Sequence, residues 1–233
     1  MAHVSEYPFV YLAVDIVVLT IRDDALQALV IRRGEEPYAG RCALPGGFVG
    51  VDEDLEAAAL RELREETAVS PRGVRLEQLR TYGDPRRDPR HRVVSVAHLA
   101  VLPEGPEPTA GTDAAFAEWH AVDDLLREDA LAFDHAQILA DGIERARAKL
   151  EYSSLALAFV GPEFTIADVR RVYEIVWGRE LDAGNFHRKV TGTAGLVSAT
   201  GRQRVQERGR PAELYVAGGA DALHPPLTRE VLR

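Results

Sequence analysis

Residues 46 to 69, GGFVGVDEDLEAAALRELREETAV, place seven acidic side chains in twenty-four positions, behind a run of glycines and around an apolar stripe. Few folds accommodate that combination. The stretch predicts a helix from about Asp54 to Thr67 with Leu55, Ala59 and Leu63 toward a core, while Glu62, Glu65 and Glu66 stand at i, i+3 and i+4 and share one face. Three carboxylates that close repel one another and oppose the helix unless cations neutralise them. Arg61 can pair with Glu65 at i+4, and a hard divalent ion with oxygen ligands would offset the rest. Mg²⁺ (or Mn²⁺) suits such a place because it accepts a few carboxylates, keeps waters and bridges to phosphate oxygens. The alternative is a merely solvated helix face.

Charge is divided unevenly along the chain. The net charge of -9 argues by itself against a nucleic-acid partner. Residues 1 to 160, however, carry 17 Lys and Arg against 28 Asp and Glu, and residues 161 to 233 carry 11 against 9. Between Asn185 and Arg210 there are six basic residues and one acidic, so positive charge is concentrated in one stretch. A hydrophobic content of 46% with 28% charged residues is that of a globular protein and excludes disordered and collagenous classes. The longest apolar run, Phe9 to Ile21, is broken by Asp15 and too short for a bilayer span, so it reads as buried strand. The N-terminus lacks the pattern of a secretory signal, and the lone Cys42 suits a reducing, cytoplasmic setting. Cys42 itself is expected to be a small buried hydrophobe.

The first part alternates strand and turn. Phe9 to Ile21 and Leu26 to Arg33 are joined by RDDA as a hairpin, and further strands are expected at Val74 to Tyr82, Arg92 to Leu102 and AEWHAV. Helices are expected over Val122 to Glu128 and over Asp134 to Leu150, the latter with Ile138, Leu139, Ile143 and Ala146 inward. Mixed strands with flanking helices make an α/β sandwich over residues 1–152. After a linker, 153–162, the pattern resets. Thr165 with Asp168 forms a capping-box signature, Ile166, Val169, Val172, Tyr173 and Val176 follow at helical spacing, and Gly178 supplies a stop. A second short helix after Asp182 is anchored by Phe186 and Val190, and a basic hairpin follows. Helix, turn, short helix and basic hairpin is the order of a winged helix-turn-helix, placed at 163–217 with a tail at 218–233.

On this reading Asn185, His187, Arg188 and Lys189 face outward from the second short helix, and such side chains suit base edges and phosphates. Arg202, Arg204, Arg208 and Arg210 would ride the wing and reach the backbone or a minor groove. A basic hairpin that simply faces solvent or the acidic half is the alternative. In the loop from Gly83 to Arg92, Arg86, Arg87, Arg90, His91 and Arg92 could meet ligand phosphates, Arg90 and Arg92 foremost, although such loops are as often solvated. His135 reads as a structural residue at a helix start with Asp134 as its cap, and Trp119 and Trp177 as core anchors.

The acidic stretch resembles the Nudix box, in which Gly, Glu, Arg-Glu and Glu-Glu recur at fixed spacing with an apolar residue between: here Gly47, Glu53, Arg61, Glu62, Leu63, Glu65 and Glu66. The departure is Ala68 where the box has a final Gly, a position that Ala takes only if φ is not strongly positive. The resemblance implies a Nudix α/β/α sandwich with Glu62, Glu65 and Glu66 as metal carboxylates, Glu53 as an accessory acid and Arg61 orienting Glu65. Glu53, Arg61, Glu65 and Glu66 would then be the catalytic set for hydrolysis of a nucleoside-linked pyrophosphate. With LAFDHAQIL, NFHRKV and GRPAELY added, nearly the whole chain resembles the NrtR-type Nudix-related transcriptional regulators of NAD metabolism. That resemblance implies a Nudix domain that senses ADP-ribose or a related nucleotide, and a winged domain that binds double-stranded operator DNA as a homodimer. A metal-dependent ADP-ribose pyrophosphatase with an accessory C-terminal domain is the alternative, because the acidic residues are retained.

Overall fold

The structure is a computed structural model that describes residues 9–70, 74–103, 114–127, 130–205 and 210–229. The expected wing residue Arg208 lies outside them. One compact unit comprises Met1–Leu19, Gln27–Ala100 and Pro106–Gly142, and a second comprises Thr20–Leu26, Val101–Gly105 and Ile143–Arg233.

The first unit is built on β1 (Tyr11–Arg22) and β2 (Ala25–Arg33), whose Val, Ile and Leu runs are buried almost without alternation, as strands covered on both faces are. Their connection is a two-residue turn in which Asp23 and Asp24 both have positive φ, the backbone that matches strand twist in a hairpin. The short strands β3 (Cys42–Ala43) and β4 (Gly46–Phe48) were not legible in the sequence, being too brief for any period. β3 pairs with β2 through Ile31 and Ala43, and β4 pairs with β1 through Val14 and Gly47.

The helix α1 (Leu55–Thr67) follows, then β5 (Glu77–Tyr82), β6 (Val93–Val101), β7 (Ala114–Ala121), α2 (Val122–Arg127) and α3 (His135–Tyr152). The sheet runs β3-β2-β1-β6-β5, with β7 also on β2 and β4 on β1. Helix α1 is capped by Asp54, which accepts the Ala57 amide at 2.8 Å, and it buries Ala58, Ala59, Leu63 and Thr67. Leu55, expected inward, is half-buried because the inward stripe begins one turn later.

Ala68 corrects a second expectation. It closes α1 in the left-handed region, with φ 54°, where a β-carbon is unfavourable. Ala68→Gly is therefore expected to stabilise the protein by about 0.5–1 kcal/mol, relief of strain outweighing the added freedom of the unfolded chain. Urea denaturation measures it; a loss of stability would contradict the strained-cap account.

In the second unit a 3₁₀ helix (Ser154–Phe159) buries Ala156 and Phe159, so part of the expected linker is packed structure. Helix α4 (Ile166–Trp177) carries both bonds of the Thr165–Asp168 capping box and stops at Gly178, φ 68°. Helix α5 (Ala183–Gly192) starts on Asp182, which accepts the Asn185 amide at 2.7 Å. Phe186 meets the Tyr173 ring edge-on at 5.2 Å between centroids, and both are fully buried, which locks α5 onto α4. Strands β8 (Val197–Arg204) and β9 (Ala212–Ala217) form the hairpin. The expected tail is also packed: Leu223 and Leu227 are buried, and their amides bond to the carbonyls of Tyr152 and Glu151 at 2.8 and 2.7 Å. Trp119 is only half-buried; Trp177 is as well, and its indole N–H donates to the Arg147 carbonyl at 3.1 Å.

Candidate functional site

The acidic face is organised by one arginine. Arg61 donates to Glu53 (2.6 and 3.0 Å), to Glu62 (2.7 Å), to Glu65 (3.1 Å) and to the Phe48 carbonyl (3.1 Å). The expected pairing with Glu65 is thus its weakest carboxylate contact, and Glu53 is its strongest. Hydrogen bonds from Arg61 and from the Gly50 amide hold the Glu53 carboxyl at about 2, far below the usual range.

Glu62 and Glu66 turn toward the sheet, while Glu65 is exposed. Glu66 accepts the Gly46 amide at 2.9 Å, and burial, with the charges of Glu62 and Asp15 nearby, pushes its carboxyl up to about 8. Burial likewise raises Glu62. A β-carbon at Gly47 would lie 2.3 Å from the Glu62 carboxylate, so a side chain there would displace that carboxylate. Two desolvated carboxylates lie beside an exposed third, and a cation would restore the charge that burial suppresses; in this arrangement their oxygens do not gather within 4.8 Å of one another, and Arg61 bridges Glu62 and Glu65.

Gly46 and Gly47 also line an open cleft bounded by Arg33, Arg90, Phe48, Phe133 and His135. The Arg33 guanidinium lies 4.7 Å from the Phe133 ring centre, and that of Arg90 lies 5.8 Å from Phe48 and 5.7 Å from Phe133. Asp88 fixes Arg90 through bonds of 2.8 and 3.1 Å. Cations stacked on aromatic planes next to an acidic face suit a ligand that has both a flat ring and phosphates.

Beneath the cleft is a buried network that the sequence did not reveal. Arg87 donates to Asp15 at 3.0 Å and grips Asp134 with bonds of 2.9 and 2.7 Å. Ser95 donates to Asp15 at 2.5 Å. His135 accepts the Leu44 amide on Nδ1 at 2.9 Å, which leaves its Nε2 proton to face Asp15 at 3.3 Å. Burial would raise the Asp15 pKa, but His135, Arg87 and Ser95 outweigh it and hold the carboxyl at about 2. The Asp134 carboxylate is therefore spent on Arg87 rather than on capping α3, and Arg87 is a buried strut rather than a solvated loop residue. Arg92 turns to the Val93 carbonyl at 3.2 Å, so of the two cations foremost in the loop only Arg90 lines the cleft. The available signal for this network was Asp15, a charge inside the most apolar run of the chain.

In the second unit, α5 buries Phe186 and Val190 and leaves His187 and Arg188 exposed, with Asn185 and Lys189 half-buried. Arg188 donates to the Asn185 side chain at 2.9 Å. The wing is shaped by an irregularity: the β8–β9 register shifts between Ala199 and Gln203, with Gly201 at φ 72°. Arg202 and Arg204 project from this bulge, and neither is free. Arg204 pairs with Asp168 at 2.8 Å, and Arg202 pairs with Glu163. Asp168 thus caps α4 and anchors the wing at once. Arg210 is exposed.

Two family models match the chain, the NUDIX domain over residues 12–142 and the NrtR DNA-binding winged helix domain over residues 156–217. The chain is 33% identical over 214 residues to the ADPR responsive transcriptional repressor NtrR of Acinetobacter baylyi, covering 91% of this chain and 83% of that protein. Shewanella oneidensis NrtR in complex with a 27mer DNA superposes with a TM-score of 0.75 at 34% identity, over 88% of this chain and 93% of that one. The NUDIX domain of the same Shewanella protein, in complex with ADP ribose, gives a TM-score of 0.55 at 35% identity, over 60% of this chain and 90% of that one.

Proposed function

Because the chain belongs to the Nudix-related NrtR regulators, we propose that it is a DNA-binding repressor of NAD-metabolism genes that senses ADP-ribose through its Nudix cleft. The observation that carries this reading is the presence in one chain of the arginine and aromatic cleft beside the acidic face and of a helix, α5, that turns His187 and Arg188 outward. In the cleft, the Phe133 and Phe48 rings would offer planes for a base, and Arg33 and Arg90 would meet phosphates. Asn185, His187, Arg188 and Lys189 would read the major groove, and Arg202, Arg204 and Arg210 would contact the backbone. A homodimer would present two such surfaces to two half-sites separated by about 34–36 Å or a multiple. No helix among the described residues is long and apolar enough to cross a membrane, and a cytoplasmic repressor is the setting this reading needs.

Glu62, Glu65 and Glu66 would hold a divalent ion, Mg²⁺ or Mn²⁺, which when bound neutralises phosphate charge and acidifies a coordinated water. Arg61 keeps Glu53, Glu62 and Glu65 aligned, and the Gly46 amide holds Glu66 in place. The intact acidic set favours a second reading in which the same site also hydrolyses its ligand.

One experiment tests the regulator reading: operator affinity on the protein's own upstream DNA, with and without saturating ADP-ribose and metal. ADP-ribose is expected to weaken binding, and DNA must then weaken ADP-ribose binding by the same factor. Operator affinity unchanged by ADP-ribose would overturn the sensor assignment. Glu66→Gln is expected to abolish any hydrolysis of ADP-ribose, and equal turnover by that variant would displace the site.

A further inference from the structure

Along β2, whose Ile31 and Arg33 line the Nudix cleft, lies a second donor set, of different chemistry. Cys42 on β3 pairs with Arg32 of β2, and Glu118 and His120 on β7 pair with Val30 and Ala28 of β2. Side chains alternate along strands, so this register puts Cys42, Glu118 and His120 on one face of the sheet, arching over β2. Their ligand atoms, one from each residue, all lie within 4.8 Å of one another.

Each donor is held in place. The Cys42 backbone is fixed on both sides, its amide to the Ala130 carbonyl at 3.2 Å and its carbonyl to the Ala132 amide at 2.8 Å. The Glu118 carboxylate is oriented by Arg32 at 3.3 Å, as outer partners orient metal carboxylates. His120 Nε2 is buried and approaches Glu118 Oε1 at 2.9 Å without good hydrogen-bond alignment. That close but misaligned approach is near the spacing of about 3.3 Å that two ligands take when they share a tetrahedral ion with bonds of about 2.0 Å.

We propose that Cys42, Glu118 and His120 form a binding site for a borderline-soft divalent ion of the zinc class, distinct from the carboxylate face on α1. A thiolate, an imidazole and one carboxylate select zinc-like ions over Mg²⁺, which wants oxygen alone. Three protein ligands leave one position for water or an exogenous donor, and the partial exposure of Glu118 and His120 provides the way in. Cys42 would bind as thiolate and release its proton, so affinity falls as pH is lowered. The ion would clamp β3 to β7 two residues before Leu44, whose amide holds His135 beneath the cleft.

The test is Co²⁺ titration of the full chain, with excess Mg²⁺ present to occupy the acidic face. A thiolate-to-cobalt charge-transfer band at one ion per chain, displaced by stoichiometric Zn²⁺ and accompanied by a raised melting temperature, is expected. Cys42 is the chain's single cysteine, so the band reports this place alone and should vanish in Cys42→Ser. His120→Gln and Glu118→Gln, at half-exposed positions, should each weaken Co²⁺ affinity about tenfold or more. Absence of the band, or a band with unchanged affinity in both of those variants, would overturn the proposal.

Discussion

Replacing Arg188 and Lys189 together with alanine is expected to reduce operator affinity by roughly two orders of magnitude or more, since each base-reading side chain contributes about 1–3 kcal/mol. The chain's net charge of -9 gives it no general attraction to a polyanion, so binding must come from a local basic surface. On α5 the anchors Phe186 and Val190 are untouched by the double substitution, so the fold should hold and the melting temperature should barely move. Wing substitutions should behave differently. Arg204→Ala removes a cation already paired with Asp168, and its expected effect is smaller, uniform across DNA sequences, with a salt slope lower by about one. Fluorescence anisotropy over a salt series separates the two classes. An unchanged affinity in the α5 double variant would remove the winged domain from operator recognition.

Arg87→Met should be the most damaging single substitution in the first unit, costing about 3–5 kcal/mol at neutral pH, because it strands the buried Asp15 carboxylate and leaves the half-buried Asp134 carboxylate without its cation. The pH dependence follows from the depressed Asp15 pKa. In the wild type this carboxyl ionises at about 2 in the folded chain against 3.8 as a free group, so its stabilising contribution is complete above about pH 4 and is lost as pH falls toward 2. In the variant, Asp15 loses a cation and takes up its proton at higher pH. The gap between the two proteins should therefore narrow as pH is lowered from 7 to 3. Urea denaturation at both pH values measures it; equal stability at pH 7, or a gap that does not close in acid, would refute the account of the network.

Whatever depends on neighbours in sequence was legible from the start. The Thr165 cap, the helical spacing of Ile166 to Val176 and the turn at Asp23 and Asp24 are set by contacts within a few residues, as are the Phe186 and Val190 anchors, so their residue types announce them. The acidic set on α1 was readable for the same reason, because i, i+3 and i+4 positions are neighbours in any helix.

The tertiary structure decided what those groups meet. It separated Glu62 and Glu66, half-buried against the sheet, from the exposed Glu65, and it made Glu53 the main partner of Arg61. It brought Arg87 to Asp15 across 72 positions and to Asp134 across 47, a joining that no local pattern encodes because the intervening strands set the distance. It also paired the wing arginines with Glu163 and Asp168. Charge pattern and periodicity specify which side chains a segment turns outward; only the packed chain specifies which of them are desolvated and which opposite charges they find, and those two quantities control both pKa and affinity.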